Sequence, residues 1–138
     1  MPKQSPVADE VDKAFWDAAN EERLVIQYCT NCDTWQHPPL PFCELCEAGS
    51  EKLEWRPAGT TGTIHSYAVV YDTPIAVLQP DLPYNVAVIQ LDEAPTVNML
   101  SHLPGVPVDE VPIGAPVRLV FETTPGNGQK VPEWVLAD

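Results

Sequence analysis

Every cysteine of the chain lies within Gln27 to Cys46, "QYCTNCDTWQHPPLPFCELC", as two Cys-x-x-Cys pairs separated by ten residues. Two such knuckles can put four sulfurs at the corners of a tetrahedron, the arrangement Zn²⁺ takes from thiolates at about 2.3 Å. Cys29, Cys32, Cys43 and Cys46 complete that set, and His37 is surplus as a ligand. Four filled positions leave none for a reacting water, so zinc here is expected to be structural. Rubredoxin-type iron uses the same four sulfurs, and a pair of redox disulfides could use the same residues, so the ligands alone leave both open. The absence of any accompanying electron-transfer domain or redox motif favours zinc.

The knuckles also dictate local architecture. "RLVIQYC" reads as a short strand entering the first pair, and "KLEWRP", alternating Leu53 and Trp55 with charge, as a strand leaving the second. Strand, knuckle, Pro-rich loop, knuckle and strand describe a zinc ribbon, expected over residues 23–58. Upstream, Val7, Val11, Ala14, Phe15 and Ala18 follow one helical face, with Ser5 and Pro6 suited to the N-cap and first helical position. This predicts a helix over about residues 6 to 20, within an N-terminal unit of residues 1–22.

Beyond "AGTTG" the period changes to about two. "TIHSYAVVY" (63–71), "YNVAVIQL" (84–91), "TVNMLSHL" (96–103), "PVRLVFE" (116–122) and "VPEWVLA" (131–137) are five strand candidates. Five strands in so short a span favour a closed or nearly closed barrel, since closure removes exposed edges; an OB-fold over 59–138 is expected. "DEAP" and "PGNG" read as the turns after the second and fourth strands, the latter because Gly126, Asn127 and Gly128 reach positive φ cheaply. The connection "DTPIAVLQPDLP" is long for a hairpin and carries Ile75, Val77 and Leu78, which suit either a flap on the barrel or a docking element. Sixteen prolines and seven glycines in 138 residues agree with a mostly β protein of short strands.

The formal net charge is −13, and the seven basic residues (Lys3, Lys13, Arg23, Lys52, Arg56, Arg118, Lys130) are dispersed. Polyphosphate binding needs a basic stripe, so a nucleic-acid partner is not expected. No apolar run approaches the roughly 20 residues that span a bilayer, and "MPKQSPVADE" lacks a signal-peptide core, so a cytoplasmic, membrane-free location is expected. His37, His65 and His102 are scattered in sequence, none beside a recognisable nucleophile, and no catalytic residue is expected.

Taken together, "FWDAANEERLVIQYCTNC", "QHPPLPFCELC", "GTTGTIHSYAVVY", "PYNVAVIQLDE" and "IGAPVRLVFE" resemble, in order and over most of the chain, a bacterial and archaeal family. Its members are OB-fold proteins with an N-terminal helix and a rubredoxin-like zinc ribbon, classed as domain of unknown function thirty-five and associated with thiolase-superfamily acyl-CoA enzymes. The resemblance implies a non-catalytic accessory subunit that assembles with a thiolase-fold partner, at times also with a hot-dog-fold hydratase. In such complexes the partner supplies the chemistry, thiolytic or retro-aldol C–C cleavage in steroid side-chain or aromatic acyl-CoA degradation, while the accessory chain helps cradle the CoA thioester. It carries the metal ligands onto Cys29, Cys32, Cys43 and Cys46, and no catalytic residue. For CoA, the ribbon-to-barrel junction offers Trp35, Phe42, Trp55 and Arg56, with Arg56 the candidate phosphate contact. The alternatives are a ribbon and OB-fold module for nucleic acid, opposed by the charge, and a rubredoxin-like electron carrier.

Overall fold

A computed structural model of the chain describes residues 4–137; residues 1–3 and 138, which the expected 1–22 and 59–138 units include, lie outside the described residues. Strand β1 (Val25–Cys29) pairs antiparallel with β2 (Thr34–Gln36) and with β3 (Leu53–Pro57), giving a three-stranded ribbon of order β2-β1-β3. The five remaining strands are β4 (Thr61–Val70), β5 (Tyr84–Leu91), β6 (Asn98–Ser101), β7 (Pro116–Thr123) and β8 (Lys130–Leu136), in the order β6-β5-β4-β7-β8. All five strand candidates after "AGTTG" form. The three-residue β2 lies where a knuckle alone was expected, because it is too short for its alternation to register.

Strand β4 is the central strand, paired with both β5 and β7, and its register against β5 shifts between Ile64 and Ser66, a bulge that bends the strand. Gly62 lies ahead of this bulge, opposite Leu91 and Val117, where a Cβ would lie 2.8 Å from the Gln90 carbonyl oxygen and from Ile89 Cγ2. The strands therefore approach too closely there for any side chain. β5 shows why the barrel has a definite interior: Asn85, Ala87, Ile89 and Leu91 are buried while the alternate residues are only half-buried.

The barrel closes through side chains between its two edge strands. Trp134 N donates to Ser101 Oγ (2.9 Å), Ser101 Oγ donates to Glu133 Oε2 (2.5 Å), and His102 N donates to the same carboxylate oxygen (2.9 Å). All three side chains of the seam, Ser101, Glu133 and Trp134, are buried. The fold is thus mostly β, with a short helix, a four-cysteine ribbon and a nearly closed five-stranded barrel.

One core runs through these layers. Ile64, Ile89, Leu91, Val117 and Trp134 of the barrel cluster with Ile26 of the ribbon and Phe15 of helix α1 (Lys13–Asn20). The helix is shorter than the sequence pattern predicts, and Val7 and Ala14 are exposed. The reason is local. Asp9 Oδ1 accepts from Val11 N and Asp12 N, while Asp12 Oδ1 accepts from Asp9 N at 2.7 Å, so a reciprocally bonded turn forms well after Ser5 and leads directly into the helix. The backbone N–H groups of Asp12 and then Val11 hold the Asp9 carboxyl below its ordinary range. Ser5 instead binds the β7–β8 turn, its Oγ accepting from Gly126 N and Asn127 N at 2.9 and 3.2 Å. In that turn only Gly128 takes positive φ, 77°. At its other end the helix closes with Glu22 left-handed (φ 58°), Glu22 N donating to Ala19 O and Arg23 N to Ala18 O, both 2.9 Å.

The Pro-rich loop between the knuckles is held by two buried glutamines paired across β1 and β2. Gln27 Oε1 accepts from Gln36 Nε2 (2.8 Å) and Leu40 N (2.9 Å), and Gln27 Nε2 donates to Leu40 O (2.9 Å). Gln36 Nε2 also donates to Phe42 O (3.0 Å), and Gln36 Oε1 accepts from Glu44 N (3.1 Å). Replacing Gln36→Met keeps the volume and strands buried partners, so it is expected to cost about 1–3 kcal/mol and to raise amide exchange over residues 38–46. Ser101→Ala removes the hydroxyl shared by Trp134 and Glu133. Its expected cost is also about 1–3 kcal/mol, read as a lower urea midpoint at unchanged slope.

Candidate functional site

The ligating atoms of Cys29, Cys32, Cys43 and Cys46 all lie within 4.8 Å of one another. Cys29 Sγ is 3.7 Å from Cys46 Sγ, and Cys32 Sγ is 3.6 Å from Cys43 Sγ. A tetrahedral site with Zn–S near 2.3 Å has S–S edges of about 3.8 Å, whereas a disulfide needs about 2.05 Å. The four residues are free cysteines, two fully buried, and the donor set fits structural zinc.

The two knuckles are built alike. Each turns through a left-handed residue just after its second cysteine, Asp33 (φ 55°) and Glu47 (φ 62°). Backbone and side-chain donors surround the sulfurs: Thr34 Oγ1 lies 3.0 Å from Cys32 Sγ, and Asn31 Nδ2 donates to Cys46 Sγ at 3.4 Å. Backbone N–H groups of Cys46 and then Leu45 outweigh burial and hold the Cys43 thiol down at about 6. At Cys46 the Asn31 amide, followed by the Ala48 N–H, also lowers the thiol. Cys32 goes the other way: Thr34 favours its thiolate, but burial and the other three sulfurs push it up to about 12. Four negative charges cannot share so small a volume unaided, and a dication at the centre removes the conflict.

The second feature is a cleft of about 580 Å³ where helix, ribbon and barrel meet. Phe15 and Trp16 form one wall, His37, Pro38 and Pro39 of the ribbon loop a second, and Met99, Leu100, His102, Pro132 and Glu133 of the barrel edges a third. The His37 ring lies 5.3 Å from that of Phe15, burial lowers its pKa, and its Nδ1 has no hydrogen-bond partner among the described residues. His102 is fixed by a 2.7 Å contact from Nδ1 to Asn85 O and by the edge of Tyr84, 5.2 Å between centroids. Two histidines far apart in sequence thus share one cleft with a buried carboxylate. Their separation of more than sixty residues concealed this from the sequence, and the only signal was the repeated Pro-rich surroundings of His37. His65 is exposed on β4, its Nδ1 3.0 Å from Ser66 Oγ.

Among the described residues lining the cleft there is no lysine or arginine, whereas Asp12 and Glu133 contribute acid groups. Trp35, Phe42, Trp55 and Arg56, expected at the junction, do not line it. Trp35 borders a smaller hollow with Leu45 and Thr96, Trp55 another with Val11 and Leu40, and Phe42 is exposed. Arg56 stacks its guanidinium 3.7 Å above the Tyr28 ring and pairs with Glu54; Tyr28 in turn meets Trp35 edge-on at 5.2 Å.

With this geometry in view, known proteins supply a direct comparison. Residues 16–54 match the family profile of the ChsH2 rubredoxin-like zinc ribbon domain, and residues 55–122 that of the ChsH2 C-terminal OB-fold domain. A DUF35 domain-containing scaffold protein of Methanothermobacter thermautotrophicus is 30% identical over 101 residues, 73% of each chain. A Thermomonospora curvata protein described as a probable enoyl-CoA hydratase alpha subunit is 39% identical over 109 residues, 78% of this chain. The chain spans only about a third (32%) of that relative. Among solved structures, a chain of the Ltp2-ChsH2(DUF35) aldolase superposes with a TM-score of 0.80 at 31% identity, covering 97% of this chain and 100% of that one. A DUF35 protein of unknown function from Sulfolobus solfataricus shares the fold, with a TM-score of 0.60 at 16% identity over 91% and 84% of the two chains. The chain therefore belongs to the DUF35 family, as a ChsH2-type zinc ribbon followed by a ChsH2-type OB-fold domain.

Proposed function

We propose that this chain is a non-catalytic accessory subunit of a thiolase-fold acyl-CoA enzyme, acting in retro-aldol or thiolytic C–C cleavage. The observation that carries this reading is the end-to-end likeness to a chain of the Ltp2-ChsH2(DUF35) aldolase. The scaffold description of the Methanothermobacter relative supports a role in assembly, and the hydratase description of the Thermomonospora relative supports an acyl-CoA pathway with a hot-dog-fold hydratase as a further partner. Steroid side-chain or aromatic acyl-CoA degradation and a cytoplasmic location are parts of the same reading. Among the described residues no helix is long and apolar enough to cross a membrane.

In this reading the partner brings the nucleophile or base, and the present chain shapes the entrance for the thioester. The apolar walls of the junction cleft suit the pantetheine or acyl portion of CoA. Its acidic rim and lack of cations oppose the phosphates, which must then rest on the partner or on Arg56. A phosphate at Arg56 would compete with Glu54 for a guanidinium already ordered over Tyr28. Co-expression with a thiolase-fold protein from the same genome is expected to yield a heteromeric complex that turns over acyl-CoA, with neither chain active alone. Full activity of this chain by itself, or failure of the two to associate, would overturn the proposal.

Cys29, Cys32, Cys43 and Cys46 hold the zinc in this proposal, and they set its pH dependence. Binding requires four thiolates, so protons compete with the metal. The thiolate of Cys43 contributes stability that is complete above the free-thiol value of 9.0 and is lost as the pH falls through about 6. Cys32, raised to about 12, surrenders its proton only to the metal, so zinc uptake at neutral pH is expected to release protons. Purified protein should be colourless with one zinc per chain, and should lose the metal on acidification to about pH 5 together with the ribbon's near-ultraviolet tryptophan signal. A visible chromophore with bound iron would favour the electron-carrier reading instead.

A further inference from the structure

The connection between β4 and β5, residues 71–83, is held by local hydrogen bonds yet leaves apolar side chains in water. Tyr71 is 71% exposed, Val77 60% and Ile75 38%; Leu78 alone of its large apolar residues is buried. The backbone is nonetheless ordered. Asp72 Oδ1 accepts from Thr73 N (2.9 Å), Thr73 Oγ1 accepts from Ile75 N (3.2 Å), and Gln79 Nε2 donates to Thr73 O (3.1 Å). A 3₁₀ turn over Ala76–Asp81 follows, anchored by Leu78. Beside Val77 lies a hollow of about 390 Å³ that also touches Ser5, Pro125 and Gly126. Ser5 clamps that hairpin tip, so loop, hairpin and N-terminal segment form one continuous end of the barrel.

Ordering costs already met in the free protein are not met again on binding, so a preformed apolar loop is suited to recognition. Its charge selects the occupant. Residues 71–83 contain Asp72 and Asp81 and no lysine or arginine, in a chain of net charge −13. A second copy would bring the same negative field, and acyl-CoA would bring phosphates to a loop that holds two aspartates and no lysine or arginine. We propose that this face docks a protein partner presenting an apolar pocket rimmed by lysine and arginine, namely the thiolase-fold subunit; the inference rests on the accessory-subunit reading. Val77 and Tyr71 fill the pocket, and the two aspartates steer encounter.

The test uses the full-length zinc-loaded chain and the co-expressed thiolase-fold subunit. Val77→Asp is expected to weaken their association at least tenfold and Tyr71→Ser several-fold, with melting temperature and zinc content unchanged. Ile113→Ser, at a comparably exposed position on the β6–β7 connection, should leave affinity intact. Asp72→Asn with Asp81→Asn should flatten the salt dependence of the association rate. If the unaltered chain binds and the loop variants bind equally well, the docking face is wrong while the accessory role stands. If the unaltered chain does not bind the thiolase-fold subunit, both fail. Concentration-dependent self-association abolished by Val77→Asp would overturn the assignment in favour of a second copy.

Discussion

The five residues of β1 connect every part of this protein. Ile26 points into the core shared with the barrel and Phe15, while Gln27, on the opposite face, holds the Pro-rich loop through Leu40 and Gln36. Two residues on, Cys29 enters the thiol cluster. Alternation along one strand therefore couples metal site, loop and barrel within a few ångströms. A disturbance at the thiols is transmitted to the loop by the same backbone, and a ribbon too small to possess its own core borrows that of the barrel.

The arrangement separates support from chemistry. Four sulfurs fill a tetrahedral site, so a metal held there has no open position at which to activate water. Between the knuckles, the loop held by Gln27 and Gln36 carries His37, Pro38 and Pro39, which with the helix and the β6 and β8 edges make the junction cleft. Closure of the barrel and formation of this cleft share the same groups, since Glu133 joins the strand edges while bordering the cavity. The charge is acidic, −13 overall with the seven basic residues dispersed, and among the described residues the cleft lining holds Asp12 and Glu133 and no lysine or arginine.

Much of this architecture was legible because it depends on short-range pattern. The Cys-x-x-Cys spacing identifies the ligand set, and alternating apolar residues locate β4 to β8 within a few positions. The helix begins later than Ser5 and Pro6 suggest, because Asp9 and Asp12 tie the preceding residues into a turn. Ser5 is occupied by a turn more than a hundred residues away, a contact with no local signature. Trp35, Trp55 and Arg56 looked like one junction cluster because they flank the knuckles, yet strand pairing spreads them over different hollows and stacks Arg56 on Tyr28.

The sequence by itself determined the four-thiol ligand set, the mostly β character and the acidic charge, since each follows from residue identity, spacing or a period of two. Tertiary structure alone decided that His37 and His102 face one cleft, that Ser101 and Glu133 seal the barrel, and that Tyr71 and Val77 remain in water. Those outcomes depend on which strand edges meet, on where β4 shifts register and on how closely its neighbours approach Gly62, quantities set by packing across the whole chain.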